Sequence, residues 1–292
     1  IKLCEPPHVL GHEICGRVIE AGDKVERDII GKRVVVETYV GCGKCEYCKS
    51  GQKHLCSAGE IGYPPYQGGE AEYVCVPRSC VHFLPDDITD DEAGIIEAAV
   101  CPFGAIMEND VKDKTVLVYG AGIAGLSFIQ AAKLFGARKV MCVVRNEVKK
   151  QQARYFGADV VIDSERENVA DRVSEETNGY GADFFADATG VKNIIEQGFS
   201  QIKRGGKIIL YGLPDKNERI EISVFDVILN QITICGYTGN SKAWEEIMRY
   251  IREGRFNLRD MVTMVLPLSE TKKAMETLDS KPADMIKIVL KP

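Results

Sequence analysis

Two hydrophobic patterns divide the chain, and they change over near residue 112. Before it, short apolar stretches at 14–20, 33–36, 71–76 and 80–84 are separated by turns rich in glycine and proline. This predicts strands in an irregular, β-rich unit. Thr89 to Asp91 followed by Glu92 offers a helix start, and 93–107 carries an apolar helical pattern with Pro102 as the expected break. Beyond 112, apolar runs at 115–119, 139–144, 160–162, 183–187, 207–211 and 233–236 read as strands. Helical segments lie between them, one ending near Phe135, the others at 147–156 and 168–177. Continuous apolar strands alternating with helices predict a parallel sheet covered on both faces. From Ser241 the pattern is mostly helical, at 244–253 and 269–278, and it ends in a short strand at 286–290.

Composition narrows the class. A chain of 292 residues, 45% hydrophobic and 27% charged, has room for about two ordinary domains. It is not collagen-like, low-complexity or disordered. The 37 basic and 43 acidic residues leave a net charge of −6. No basic stripe is visible, so no nucleic-acid partner is expected. No apolar run is long enough for a membrane span. Eleven cysteines, an odd number with four crowded between 42 and 56, point to metal binding in a reducing, cytoplasmic compartment rather than to disulfides. The chain opens at Ile1 with no targeting pattern, and further sequence upstream is expected.

Gly120, Gly122 and Gly125 fit G-x-G-x-x-G, with Ile123 and Ala124 in the last spacer. The motif sits between a predicted strand and a predicted helix, the context that turns a weak pattern into a dinucleotide fingerprint. The first glycine permits the tight turn, the second lets backbone approach a pyrophosphate, and the third lets helix and strand pack closely. A site for NAD places an acidic residue at the end of the second strand to bind the ribose. Here Val144 stands at that point and Arg145 follows, with Lys149 and Lys150 just beyond. A carboxylate repels a 2′-phosphate and an arginine attracts it, so the residues favour NADP(H) over NAD(H). The alternatives are a ligand-free glycine turn and a solvated Arg145.

Cys42, Cys45, Cys48 and Cys56 give C-x2-C-x2-C-x7-C, with Gly41, Gly43 and Gly51 to wrap an ion. Four thiolates on one short loop suit a closed tetrahedral zinc site. A four-iron cluster has a shorter last spacer followed by proline, whereas Ser57 follows here. A redox pair needs only two of the four cysteines. Gly11-His12-Glu13 precedes a strand, just after Pro6 and Pro7, and Glu97 lies among Ile95, Ile96, Ala98, Ala99 and Val100. A glutamate in so apolar a setting is costly unless paired or bound to a cation. Spacing alone leaves His12, Glu13 and Glu97 between a metal site and a structural role. His8 and His54 read as loop residues and His82 as a strand residue.

These pieces together resemble the zinc-containing medium-chain dehydrogenase/reductase family. The matching text is Val9-Leu-Gly-His-Glu13, the stretch from Gly22 and Asp23 to Gly31-Lys-Arg-Val34, Gly41-Cys-Gly-Lys-Cys-Glu-Tyr-Cys48 with Cys56, and Gly68-Gly-Glu-Ala-Glu-Tyr73. It continues through Gly120–Gly125, Asp187-Ala-Thr-Gly190 and Gly205-Gly-Lys-Ile-Ile-Leu-Tyr-Gly212. The resemblance implies an α/β fold, a Rossmann doubly wound parallel sheet inserted in a β-rich GroES-like catalytic domain. Residues 1–102 would form the first part of that domain, 103–239 the NADP-binding insert, and 240–292 the return. It implies one structural zinc on Cys42, Cys45, Cys48 and Cys56, and one catalytic zinc involving His12 and Glu13. Glu97 falls where alcohol dehydrogenases have cysteine and polyol dehydrogenases have glutamate, which points to the sorbitol and polyol branch. Thr189, Gly190 and Gly212 fall at strand ends where the cofactor crosses the sheet. A homodimer or homotetramer is implied, with a small-molecule alcohol or ketone as substrate.

Two departures accompany the resemblance. The family's first catalytic-zinc cysteine lies roughly 20–25 residues before Gly-His-Glu, within an open three-ligand site, and would stand upstream of Ile1. Cys4 is too close to His12 to be that residue, and Cys15 sits in a strand pattern suited to core packing. Glu70 replaces an apolar residue of the Gly-Gly-x-Ala-Glu-Tyr motif. The expected activity is zinc-dependent hydride transfer between NADP(H) and a polyol or ketose. The alternatives are a non-zinc quinone or enoyl reductase on the same scaffold and a non-catalytic NADP-binding protein.

Overall fold

The computed structural model describes residues 8–61 and 68–292, so Cys4, Pro6 and Pro7 lie outside the described residues. The chain divides into two compact units. One is Pro102–Thr238, and the other joins the residues up to Cys101 with Gly239–Pro292. Among the described residues, no helix is long and apolar enough to cross a membrane.

The discontinuous unit is built on β1 (Ile14–Arg17), β2 (Arg33–Val36) and β5 (Val81–Phe83), an antiparallel sheet in the order β1-β2-β5. Between them a short antiparallel pair, β3 (Tyr39–Val40) and β4 (Glu60–Ile61), brackets the cysteine stretch, which contains the single-turn helix α1 (Glu46–Lys49). The sequence predicts a strand at 71–76, but none forms there. The preceding donors, the N–H groups of Gly68, Gly69 and Glu70, go to the carbonyls of Val9, Gly11 and Leu10. Residues 71–76 join no ladder among the described residues, and an alternating pattern without a partner does not make a strand.

Thr89 caps α2 (Asp90–Ala93) through a reciprocal box. The Thr89 hydroxyl accepts the Glu92 N–H, and the Glu92 carboxylate accepts the Thr89 N–H at 3.0 Å. The helical pattern then breaks at Gly94 and resumes as α3 (Ile96–Met107), which runs through Pro102 rather than ending there. Proline in a helix interior costs about 3 kcal/mol. Burying one large apolar side chain contributes about 1.5–3 kcal/mol. Val100, Phe103 and Ile106 are all buried, so packing outweighs the lost donor.

The continuous unit holds β6 (Thr115–Tyr119), α4 (Ile123–Leu134), β7 (Lys139–Val144), α5 (Glu147–Tyr155), β8 (Val160–Asp163) and α6 (Val169–Glu176). It continues with β9 (Ala182–Asp187), α7 (Lys192–Gln201), β10 (Ile202–Leu210), α8 (Val224–Leu229) and β11 (Thr233–Gly236). All six strands pair in parallel, in the order β11-β10-β9-β6-β7-β8. Every residue of β6 is buried, as a strand covered on both faces requires. Leu117, Tyr119, Met141, Val143 and Phe185 share one core cluster with Val173 and Ile208, while the alternate residues Val116, Val118, Val140 and Cys142 are equally buried. Helices α7 and α8 have no counterpart in the sequence pattern, because polar residues interrupt the first and the second is too short to show a period.

The chain then returns to the discontinuous unit with α9 (Ala243–Arg252), β12 (Val262–Pro267), α10 (Thr271–Asp279) and β13 (Lys287–Lys291). β12 corrects the mostly helical expectation for this segment. It pairs in parallel with β13, and Leu266 is its one buried residue, too little for a sequence signal.

Candidate cofactor and metal sites

The strand order places a topological switch point between β6 and β9, where α/β sheets form a crevice at their carboxyl ends. Gly120 leaves β6 in the left-handed region at φ +99°. A Cβ on Gly125 would lie 2.0 Å from the Gly120 carbonyl oxygen, so only glycine lets the helix start this close to the turn. Gly122 caps α4 without a side chain, and the first helical bond runs from the Leu126 N–H to the Gly122 carbonyl at 2.9 Å. The N–H groups of Ile123, Ala124 and Gly125 therefore have no intrahelical acceptor, a ready anion-binding end.

On the other side of the switch point, Asp187 ends β9 fully buried. Its Oδ1 accepts the Thr189 N–H at 2.9 Å and the Thr189 hydroxyl at 2.6 Å, and its Oδ2 accepts the Gly190 N–H at 3.0 Å. The Gly212 N–H, beyond β10, donates to the Asp187 carbonyl at 2.9 Å. Asp187 thus organises Thr189, Gly190 and Gly212. The sequence marks it only as part of a motif, because its role is visible only through its partners.

Val144 ends β7 buried, and Arg145 after it is exposed with no ion pair among the described residues. Asn146 caps α5 by accepting the Lys149 N–H at 2.9 Å, and the Lys149 ammonium donates to Gln152 at 2.8 Å. Lys150 is engaged elsewhere. It is buried, with its ammonium 2.7 Å from Glu147 and 3.0 Å from Asp163, so its charge is already balanced.

In the other unit, the four cysteines come together with one sulfur each within 4.8 Å of the others. The Cys42 N–H donates to the Cys56 sulfur at 3.4 Å, and the Lys44 and Cys48 N–H groups donate to the Cys42 and Cys45 sulfurs at 3.5 Å. Such donors favour thiolates. The backbone N–H groups of Lys44 and Cys45 pull the Cys42 thiol down to about 6. Burial pushes the Cys48 thiol up to about 11. A Cβ on Gly41 would lie 2.7 Å from the Cys48 sulfur, so the cradle has no room for a side chain. Donor type, number and crowding fit a closed zinc site.

His12, Glu13 and Glu97 also converge, each with a donor atom within 4.8 Å of the others. His12 precedes β1, and Glu97 lies in the first turn of α3. The Thr38 hydroxyl donates to Glu97 Oε1 at 2.8 Å, and His12 Nε2 lies 3.6 Å from Glu97 Oε2. Burial pushes the Glu97 carboxyl up, and Glu13 adds to this, while His12, Thr38 and Lys287 work the other way. Lys287 of β13 donates to Glu13 at 2.5 Å. An imidazole and two carboxylates around one point, one of them largely covered, form a donor set that a zinc ion fits. Thr38 and Lys287 are supporting residues with no signal in the sequence.

The remaining candidates fall outside these clusters. Cys15 is half-buried and donates to the Asp90 carbonyl, and burial pushes its thiol up to about 11. Glu70 lies against Gly11, its Cγ 2.9 Å from where a Gly11 Cβ would stand. His82 pairs with Glu37 at 3.0 Å and stacks on Trp244 at 4.8 Å.

Comparison with known proteins follows the same division. Residues 124–253 match the family model described as zinc-binding dehydrogenase, and residues 1–86 match the alcohol dehydrogenase GroES-like domain. The chain is 33% identical over 277 residues to the L-threonine 3-dehydrogenase of Caldanaerobacter subterraneus subsp. tengcongensis, covering 94% of this chain and 80% of that one. It is 32% identical over 290 residues to the sorbitol dehydrogenase of Halalkalibacterium halodurans, covering 98% and 84%. A Sinorhizobium meliloti 1021 structure bound to NADP superposes with a TM-score of 0.90 at 27% identity, covering 99% of this chain and 84% of that one.

The cysteine cradle leads to a pH dependence. Without metal, the Cys48 proton is held up to about pH 11, and a bound ion must displace it. Each displaced proton changes apparent affinity by about tenfold per pH unit, falling as pH falls. Below about 6, Cys42 is protonated too, and the slope should steepen by about a further tenfold per unit. Competition titrations of zinc against a chelator between pH 5 and pH 8 (about the range usable with thiols) measure this. A flat profile, or no zinc lost from Cys45→Ser, rejects the four-thiolate site.

Proposed function

Because the chain belongs to the zinc-containing medium-chain dehydrogenase/reductase family, we propose that it transfers a hydride between NADP(H) and a secondary alcohol or ketone, with polyols, sugar alcohols and ketoses as the substrate class. The observation that carries this reading is the convergence of His12, Glu13 and Glu97, three ligand-bearing side chains brought from distant parts of the sequence to within 4.8 Å. In this reading they hold the catalytic zinc, and Cys42, Cys45, Cys48 and Cys56 hold the structural one. When bound, the catalytic zinc supplies Lewis acidity toward the substrate oxygen, and the nicotinamide gives or accepts the hydride.

The chain's own residues prepare that chemistry. Thr38 fixes the orientation of Glu97 by a 2.8 Å hydrogen bond. Lys287 holds Glu13 and lowers the cost of two carboxylates at one point. The α4 start binds pyrophosphate through backbone N–H groups, and Asp187 sets Thr189 and Gly190 beside it. Arg145 meets the 2′-phosphate, with a smaller share from Lys149. Glu97, in place of cysteine, favours a polyol over a simple alcohol. The rival substrate is the amino-acid alcohol named for the threonine dehydrogenase relative, and an activity panel containing both L-threonine and sorbitol separates them.

The same reading makes the protein a cytoplasmic homodimer or homotetramer. The ten described cysteines are all free, in keeping with a reducing compartment. Val224, Phe225, Ile228 and Leu229 of α8 are 57–72% exposed, and β11 is an open sheet edge beside β10. Exposed apolar faces and open edges are what a second copy covers.

Three outcomes are expected. His12→Ala should abolish turnover and remove one zinc while NADP(H) still binds. Retained turnover rejects the zinc-dependent mechanism. Arg145→Ala should weaken NADPH binding by about 10- to 150-fold, the equivalent of a charged hydrogen bond of about 1.5–3 kcal/mol, and leave NADH nearly unchanged. Equal dissociation constants for the two cofactors in the unmodified protein, at fixed ionic strength, reject the preference. Light scattering should give a dimer or tetramer that Phe225→Glu with Ile228→Lys dissociates, and a monomeric parent rules out the assembly.

A further inference from the structure

Two of the described clusters are joined by a buried polar network. Glu37 follows β2 and is 3% exposed. Its Oε2 lies 2.9 Å from the Lys53 ammonium and 3.0 Å from His82 Nε2, and its Oε1 accepts the Ser241 hydroxyl at 2.5 Å. Burial works against ionisation of Glu37, yet these partners hold its carboxyl below the usual range. Lys53 lies inside the cysteine stretch. Its carbonyl accepts the Cys56 N–H at 3.0 Å, its ammonium also donates to the Ser79 carbonyl at 2.6 Å, and its Cβ closes on Gly41 beside the Cys48 sulfur. The residue next to Glu37 is Thr38, whose hydroxyl holds Glu97.

The path therefore runs from Cys56 through Lys53 to the Glu37 carboxylate, along the backbone from Glu37 to Thr38, and through the Thr38 hydroxyl to Glu97. None of Lys53, Glu37 or Thr38 belongs to a metal donor set. An exposed lysine needs no such partner, whereas the largely covered Lys53 ammonium ties the cysteine stretch to the buried Glu37 carboxylate, and removing one partner alone would leave the other charge uncompensated. We propose that Lys53 and Glu37 are positioning residues that carry the order of the cysteine loop to Glu97, so that the folded loop tightens the hold of His12, Glu13 and Glu97 on their metal. The inference rests on the zinc reading of both clusters given above. It adds that the loop metal acts on the reaction site and does not merely stabilise its own loop.

The test is the rate at which a chelator removes zinc from the protein. His12→Ala identifies the phase that belongs to the His12, Glu13 and Glu97 cluster. Glu37→Gln with Lys53→Met cuts the link without leaving one buried charge alone. In that double variant the identified phase should accelerate by about tenfold, the lower end of the effect of outer-shell partners on metal affinity. Lys53→Arg should keep the parent rate. Thr38→Val should accelerate the phase by itself, and the two further substitutions should then add little, because all act along one route. A parent rate in the double variant, or an undiminished effect of it on top of Thr38→Val, overturns the coupling. If His12→Ala removes no phase, the zinc reading of that cluster falls, and this inference falls with it.

Discussion

Covering most of the Glu97 carboxylate is the constraint around which the discontinuous unit is organised. It opens α3, whose neighbouring side chains are aliphatic, and it lies beside a second carboxylate, Glu13. Desolvating an ion costs several kcal/mol even after relaxation. That cost is offset in part by Thr38 and His12, and Glu13 in turn is paired with Lys287. These partners come from the loop before β1, the residues after β2, and the last strand. Completing this set of partners requires the chain to return from the continuous unit and lay β13 against β12.

The continuous unit answers a different requirement. Its parallel sheet brings the ends of β6, β9 and β10 side by side, because the crossovers on either side of the switch point run in opposite directions. Glycine at 120 and 125 then brings backbone where side chains would block it, and Asp187 fixes the facing turn from beneath. Arg145, just after β7, stays exposed and makes no ion pair among the described residues.

Both units show the same economy with polar groups. Lys150, Lys53 and Asp187 are buried or nearly so, and each meets an opposite charge or a set of backbone donors. A lysine near a phosphate-binding end looks like a ligand in the sequence, but Lys150 is spent on Glu147 and Asp163. A lysine between two cysteines looks like a solvated loop residue, but Lys53 is anchored on Glu37.

The sequence by itself determined the parts whose chemistry is local. The G-x-G-x-x-G turn, the four-cysteine loop and the Thr89 box are set by residues a few positions apart, so their spacing is the structure. The parallel sheet was legible because strands buried on both faces carry uninterrupted apolar runs. Tertiary structure alone decided the rest. The run at 71–76 became no strand because no ladder partner reached it, and Pro102 stayed inside α3 because burial of its neighbours outweighed one lost donor. β12 was silent in the sequence because one buried residue gives no period. Thr38, Lys287 and Glu37 acquired their roles only when the fold brought their partners across tens or hundreds of residues, since a hydrogen bond between distant positions leaves no pattern along the chain.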